Sequence, residues 1–224
     1  MKIQFRHSIF VGALLVAALT SVACGSGDEP TADPTSAAAT VVPPTSAPDT
    51  PVSAVTGGTF VIGEGSEATF TVNEKLSSLP LPNDAVMRTG GITGEIDLSA
   101  GTASLVIDLH TLKSDASRRD RYIRDRMFPR QPNATITINK FPDIPEDFAD
   151  GKSFTSKVIA TVNVNGTDAD IEFEIESRLD PDRLLVLVKG DFTWADFGMR
   201  APTSRSFVVT DDVHVEVLVS AVPK

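Results

Sequence analysis

The stretch SDASRRDRYIRDRMF, residues 114–128, concentrates the charged chemistry of this chain. With the residues just after it, it holds six of the twelve arginines: Arg118, Arg119, Arg121, Arg124, Arg126 and Arg130. Asp115, Asp120 and Asp125 stand among them. A guanidinium presents a planar fork of donors that matches phosphate or carboxylate, so such a cluster could grip an anionic head group. The same spacing also describes a self-neutralising surface helix. Asp115–Arg119, Asp120–Arg124 and Arg121–Asp125 are i,i+4 pairs, and Ala116, Ile123 and Met127 fall near one face. Ser114 can cap the first turn, with Asp115 near the positive helix end.

Other chemistries find little support. Of the histidines, His7 lies in the N-terminal leader, and His110 and His214 have no cysteine or regular acidic spacing around them. No metal or haem site is expected. No G-x-S-x-G is present. Glu172, Glu174 and Glu176 alternate with Ile171, Phe173 and Ile175, which makes them a charged outer face rather than a catalytic pair. Asp196-Phe197-Gly198 lacks the phosphate loop and catalytic loop that would make it nucleotide chemistry, and reads as a turn. The expectation is a protein that is not an enzyme and needs no cofactor.

The elements that must position the arginines begin well into the chain. Lys2 and Arg6 precede the apolar run IFVGALLVAALT, which exits through the small residues SVAC. A basic start, a short apolar core and a small-residue exit describe a secretory signal over residues 1–23. Cys24, the only cysteine, stands where a bacterial lipoprotein carries its lipidated residue. An intrachain disulfide is excluded, so burial must stabilise the fold. Residues 24–57 are rich in Pro, Ala, Thr, Ser and Gly and cannot bury enough apolar surface to offset ordering entropy. They read as a tether with a reach of roughly 30 Å. Losing residues 1–23 removes Lys2 and Arg6 and no acid, so the formal charge of −10 becomes −12. That balance argues against nucleic-acid binding and against adsorption to anionic lipid by overall charge. The expected localisation is extracytoplasmic, with the membrane reached through the anchor at Cys24.

Residues 58–224 suit one domain, and most of it alternates with period two. Inward candidates are Phe70 and Val72, Ile96, Leu105 and Ile107, Ile136 and Ile138, and Phe173. Asn165-Gly166 between two such runs is a strong hairpin signal. The spacing predicts eight to nine antiparallel strands with one helix between Leu109 and Ile136, hence an all-β barrel or sandwich. Phe141 and Phe148, in the proline-rich stretch FPDIPEDFADG, are candidate inward plugs.

Three stretches then resemble the YceI-like family. The first comprises Leu112, Ser114, Asp115, Arg119, Asp120, Ile123 and Arg124, followed by Phe128 and PNATITI. The second is TWADFGM, Thr193 to Met199, and the third is the opening GTFVIGEGSEATFTVNEKL. Together the resemblance spans about Thr59 to Val222. It implies a lipocalin-like antiparallel β-barrel of about eight strands with one short inserted helix, holding a polyisoprenoid or fatty-chain amphiphile in an apolar pocket. The inward residues above, with Ile123, would then contact the chain of the ligand, and Arg119 or Arg124 its head group. Smooth aliphatic walls agree with that, each buried CH₂ contributing about 0.8 kcal/mol. The alternative is a structural or interaction protein whose barrel is packed solid by the same side chains, with the arginines as surface decoration.

Overall fold

The computed structural model describes residues 57–224. The expected signal, Cys24 and the tether up to residue 56 lie outside the described residues. Ten strands follow in chain order: β1 (Thr59–Ile62), β2 (Glu67–Leu76), β3 (Asn83–Thr89), β4 (Ile92–Asp97), β5 (Thr102–Asp108), β6 (Asn133–Ile138), β7 (Phe154–Val164), β8 (Thr167–Leu179), β9 (Leu184–Thr193) and β10 (Phe207–Pro223). All pairings between them are antiparallel.

These ten strands make eight staves. β10 is seventeen residues long. Its residues Phe207–Leu218 pair with β2, and Ala221–Pro223 pair with β1. β1 and β2 are therefore one stave interrupted by Gly63–Ser66, where Gly65 takes φ 88°. β3 pairs with β2 and β4 with β1, so these form a second stave, broken at Gly90-Gly91. From there each stave pairs with the next in sequence, and β10 closes the ring on the first. An up-and-down barrel results, not a sandwich.

The sequence explains the closure. Along β8, Ile171, Phe173, Ile175, Ser177 and Leu179 are buried, while Glu172, Glu174, Glu176 and Arg178 are exposed. The outer face is laced with cross-strand charge pairs, such as Lys157 to Glu172 at 2.6 Å. The hydrogen bond and charge of Glu172 hold the Lys157 ammonium above its ordinary pKa. Asn165 (φ 56°) and Gly166 (φ 81°) form the two-residue β7–β8 turn, in the left-handed conformation such turns require.

β3 has a free edge beyond the ring. Arg88 there exchanges two 2.8 Å backbone hydrogen bonds with Lys113. The chain then forms helix α1 (Ser117–Tyr122) and a π-helical turn, Ile123–Met127, before rejoining the barrel at β6. This excursion lies at the end of the barrel that also carries the β2–β3, β7–β8 and β9–β10 connections. Its details differ from the sequence reading. Ala116, not Ser114, occupies the N-cap position. Ser114 instead donates its Oγ to Asp120 Oδ1 at 2.7 Å, and its backbone N donates to the same atom at 2.9 Å. Asp115–Arg119 forms, but Arg124 pairs with the neighbouring Asp125 rather than with Asp120. The π turn accounts for this: from Ile123 the repeat becomes i→i+5, shown by Phe128 N donating to Ile123 O at 3.0 Å. Residues four apart across that point no longer face each other.

Candidate ligand cavity

The barrel is hollow. A cavity of about 810 Å³ runs along its interior, within the range of sites that enclose a small molecule. A barrel packed solid is not what the side chains build. The inward positions of four successive staves explain the space. Ala85 on β3, Ala103 on β5, Ala134 on β6 and Ala160 on β7 all line the cavity, where larger side chains would meet across the axis. Gly190 on β9 contributes in another way. A Cβ there would stand 2.4 Å from Cδ1 and 2.7 Å from Cε1 of Phe173. Without one, the Phe173 ring lies back over the β9 backbone and leaves the lumen open.

Most inward candidates from the sequence meet in this cavity. Phe70 and Val72 from β2, Ile96 from β4, Leu105 and Ile107 from β5, Ile136 and Ile138 from β6, and Phe173 from β8 line its wall. Ile123 from the π turn and Arg119 from α1 reach it from above. Arg124 does not line it. Its guanidinium lies 2.9 Å from Asp125 and its side chain is 43% exposed, because the π turn rotates it away from the barrel.

Parity along the strands picks out two further residues. Glu74 continues the inward phase of Phe70 and Val72, and Ser177 continues that of Phe173 and Ile175. Glu74 is buried and accepts from Arg119 and, at 3.3 Å, from Asn83 Nδ2. Arg119 also pairs with Asp115. Arg119 thus bridges helix and strand, and two carboxylates occupy its guanidinium. Arg118 lines the cavity too, is exposed, and has no ion-pair partner among the described residues. The resemblance singles out Arg119 and Arg124, but the structure turns Arg118 rather than Arg124 to the cavity rim, which depends on the start of α1.

The two ends of the cavity differ. At the β6–β7 end it meets Phe141, Pro142, Ile144 and Phe148. Phe148 is buried and packs edge-to-face on Phe154, ring centroids 5.1 Å apart. At the other end stand the only exposed lining residues: Ser77, Ser78, Arg118, Tyr122 and Ser206. Here the interior meets solvent, and this rim is the mouth. Tyr122 packs edge-to-face on Phe207 across it at 6.0 Å. The DFG segment is a structural turn beside the mouth. Thr193 and Asp196 form a reciprocal cap, Gly198 takes φ 64°, and Phe197 is buried in the cavity wall.

The histidines serve other ends. His110 Nε2 is 2.7 Å from the carbonyl oxygen of Phe128, tying the excursion back to the end of β5. His214 Nδ1 is 2.8 Å from Asp191 Oδ1 on the outer face. Among the described residues no group of three or more His, Cys, Asp or Glu side chains converges as metal ligands would.

Eight sequential staves around one apolar lumen, with a helical excursion over one mouth, define a hollow lipocalin-like β-barrel. The YceI-like domain model matches residues 60–221, and the chain belongs to that family. Solved structures agree on the fold. A polyisoprenoid binding domain from Saccharophagus degradans superposes with a TM-score of 0.58 at 19% identity, covering 75% of this chain and 99% of that one. BcnA from Burkholderia cenocepacia gives a TM-score of 0.51 at 10% identity, over 69% and 95% of the two chains. The YceI protein of Campylobacter jejuni gives 0.50 at 17% identity, over 67% and 91%. None of the curated proteins matches the chain.

Proposed function

We propose that this protein holds a long-chain amphiphile, such as a polyisoprenoid or fatty-acid derivative, with its chain in the barrel and its polar end at the mouth. The observation that carries this is the continuous cavity of about 810 Å³, walled almost wholly by aliphatic and aromatic side chains. Its lining suits an apolar chain rather than a compact polar substrate. Ten buried CH₂ groups would contribute on the order of 8 kcal/mol before association costs are subtracted. The solved relative described as a polyisoprenoid binding domain supports the chemistry. Arg118, Ser77, Ser78 and Ser206 offer donors for a head group at the rim, whereas the guanidinium of Arg119 is already held by Glu74 and Asp115. No reaction is part of this reading.

The N-terminal residues extend it. A signal over residues 1–23 and a lipid on Cys24 would place the barrel outside the cytoplasmic membrane, on a tether. Incorporation of labelled fatty acid, lost in Cys24→Ser, tests the anchor. Mild purification followed by native mass spectrometry tests the binding. The expected result is a bound mass that solvent extraction identifies as a prenyl or acyl lipid. An empty protein that also takes up no added prenyl or acyl lipid overturns it.

A further inference from the structure

Seven large hydrophobic side chains are exposed among the described residues, and four stand around the mouth: Leu79, Leu81, Tyr122 and Val208. Leu79 and Leu81 are 45% and 72% exposed. They sit in SSLPLP, the β2–β3 connection, directly after the mouth residues Ser77 and Ser78. The segment does not fold back to hide them. Ser77 N donates to Ser206 O at 2.9 Å, Leu79 N donates to Leu76 O at 3.1 Å, and Pro80 and Pro82 restrict the turn between β2 and β3. Val208 lies opposite Lys75 on the outer face just below, where β10 pairs with β2.

The charges at this rim run against those of the chain. Lys75, Arg118 and Arg205 are exposed and make no ion pair among the described residues. Of the nearby acids, Asp115 is held by Arg119, while Asp84, Asp211 and Asp212 keep their charge; the adjoining cover, residues 109–132, tips the balance with six Arg and one Lys against three Asp. Exposed leucines beside unpaired cations and a tyrosine match the boundary of an anionic bilayer. There the apolar groups enter the acyl region, the ring rests at headgroup depth, and the cations meet phosphate.

We infer that this rim is a membrane-docking surface. Leu79 and Leu81 insert into an anionic lipid bilayer while Lys75, Arg118 and Arg205 lie against its headgroups, so the mouth opens onto lipid rather than water. What passes through the mouth rests on the function proposed above; the docking itself does not. The overall charge argues against adsorption of the chain as a whole, but the contact is local, and a screening length of about 8 Å at physiological salt lets the rim act apart from the acidic barrel wall.

The test uses the full chain with Cys24→Ser, which removes the only native thiol and any lipid on it. One version carries Leu81→Cys and another Asp182→Cys, at the opposite end, each labelled with an environment-sensitive fluorophore. With phosphatidylcholine vesicles containing phosphatidylglycerol, the label at 81 should shift to the blue and become shielded from aqueous iodide. Pure phosphatidylcholine should give a weaker effect, and the label at 182 should not respond. A label at 81 as open to iodide with vesicles as without, or equal shielding at 182, overturns the proposal. Separately, Leu79→Ser with Leu81→Ser should slow uptake of prenyl lipid from vesicles roughly tenfold while leaving uptake from detergent unchanged. Equal slowing from both sources also counts against docking. If the unsubstituted chain takes up lipid from neither source, the binding function fails, and the fluorescence result still decides the docking.

Discussion

The two ends of the barrel are closed by different physics. At the β6–β7 end, residues 139–153 bring Phe141, Ile144 and Phe148 into the lumen, and their charges are Lys140 and Lys152 against Asp143, Glu146, Asp147 and Asp150. At the other end, residues 109–132 lie over the opening with six Arg and one Lys against three Asp. The first is an apolar plug with an acidic outer side. The second is a basic cover held to the wall by the Arg119–Glu74 pair, beside a rim of exposed lining residues. Opening the plug would expose buried aromatic surface. Moving the cover would uncover Leu112, Ile123 and Phe128 as well, but it also carries an ionic contact to the wall, which the plug lacks among the described residues. The difference is that the exposed lining residues all stand at the covered end, and none at the plugged one.

Breaking the plug should have the largest effect. Phe148 is 5% exposed and packs on Phe154. Phe148→Ala is expected to destabilise the protein by about 3–5 kcal/mol, with a fall in Tm on the order of 10 °C for a domain of this size. Urea and thermal unfolding measure it. A loss under about 1 kcal/mol would mean that this end is not sealed by packing.

The cover should be next. Glu74 and Arg119 have side chains 6% and 18% exposed, so removing either leaves a largely buried charge. Arg119→Ala is expected to destabilise by about 3 kcal/mol. Adding Glu74→Gln should recover part of that loss, because the stranded carboxylate is gone. Arg124→Ala, at an exposed pair, should change stability by less than about 0.5 kcal/mol. Equal losses for Arg119→Ala and Arg124→Ala would remove the distinction between a latch and a surface arginine.

A third substitution acts on the wall between the ends. Gly190→Ala should push the Phe173 ring off the β9 backbone and into the lumen. About 1–3 kcal/mol of overpacking is expected, together with a shorter longest chain accepted in lipid-uptake assays. Unchanged chain-length preference would show that Phe173 does not limit the lumen.

Much of this architecture was legible because a barrel wall obeys one rule. Period-two parity placed Phe70, Val72, Ile96, Leu105, Ile107, Ile136, Ile138 and Phe173 on the inner face, and the same parity extended to Glu74 and Ser177 would have found the polar wall positions. Two things were not legible. Hollowness depends on Ala85, Ala103, Ala134 and Ala160 falling on successive staves, which needs the strand order and register. The split among the arginines depends on Asp120 being taken by Ser114 and on the π turn at Ile123, and i,i+4 spacing encodes neither. The two readings of the arginine cluster, head-group grip and self-neutralising helix, therefore divide among its residues. Arg119 reaches the lumen but is engaged as the latch, Arg124 faces out, and Arg118 lines the mouth without an ion-pair partner among the described residues.

The smallest expected effect sharpens that division. Arg118 is exposed and makes no ion pair among the described residues, so Arg118→Ala should leave stability within about 0.5 kcal/mol. If the mouth holds the head group, its affinity for a phosphorylated long-chain alcohol should fall about three- to tenfold, the loss of one charge-assisted contact in partial solvent. Affinity for the unphosphorylated alcohol of the same chain should not change. Arg124→Ala should alter neither. Titration of both ligands against both variants separates the outcomes. A phosphate-specific loss at Arg118 alone assigns the mouth a head-group role, and equal losses for the two ligands would reduce Arg118 to packing at the rim.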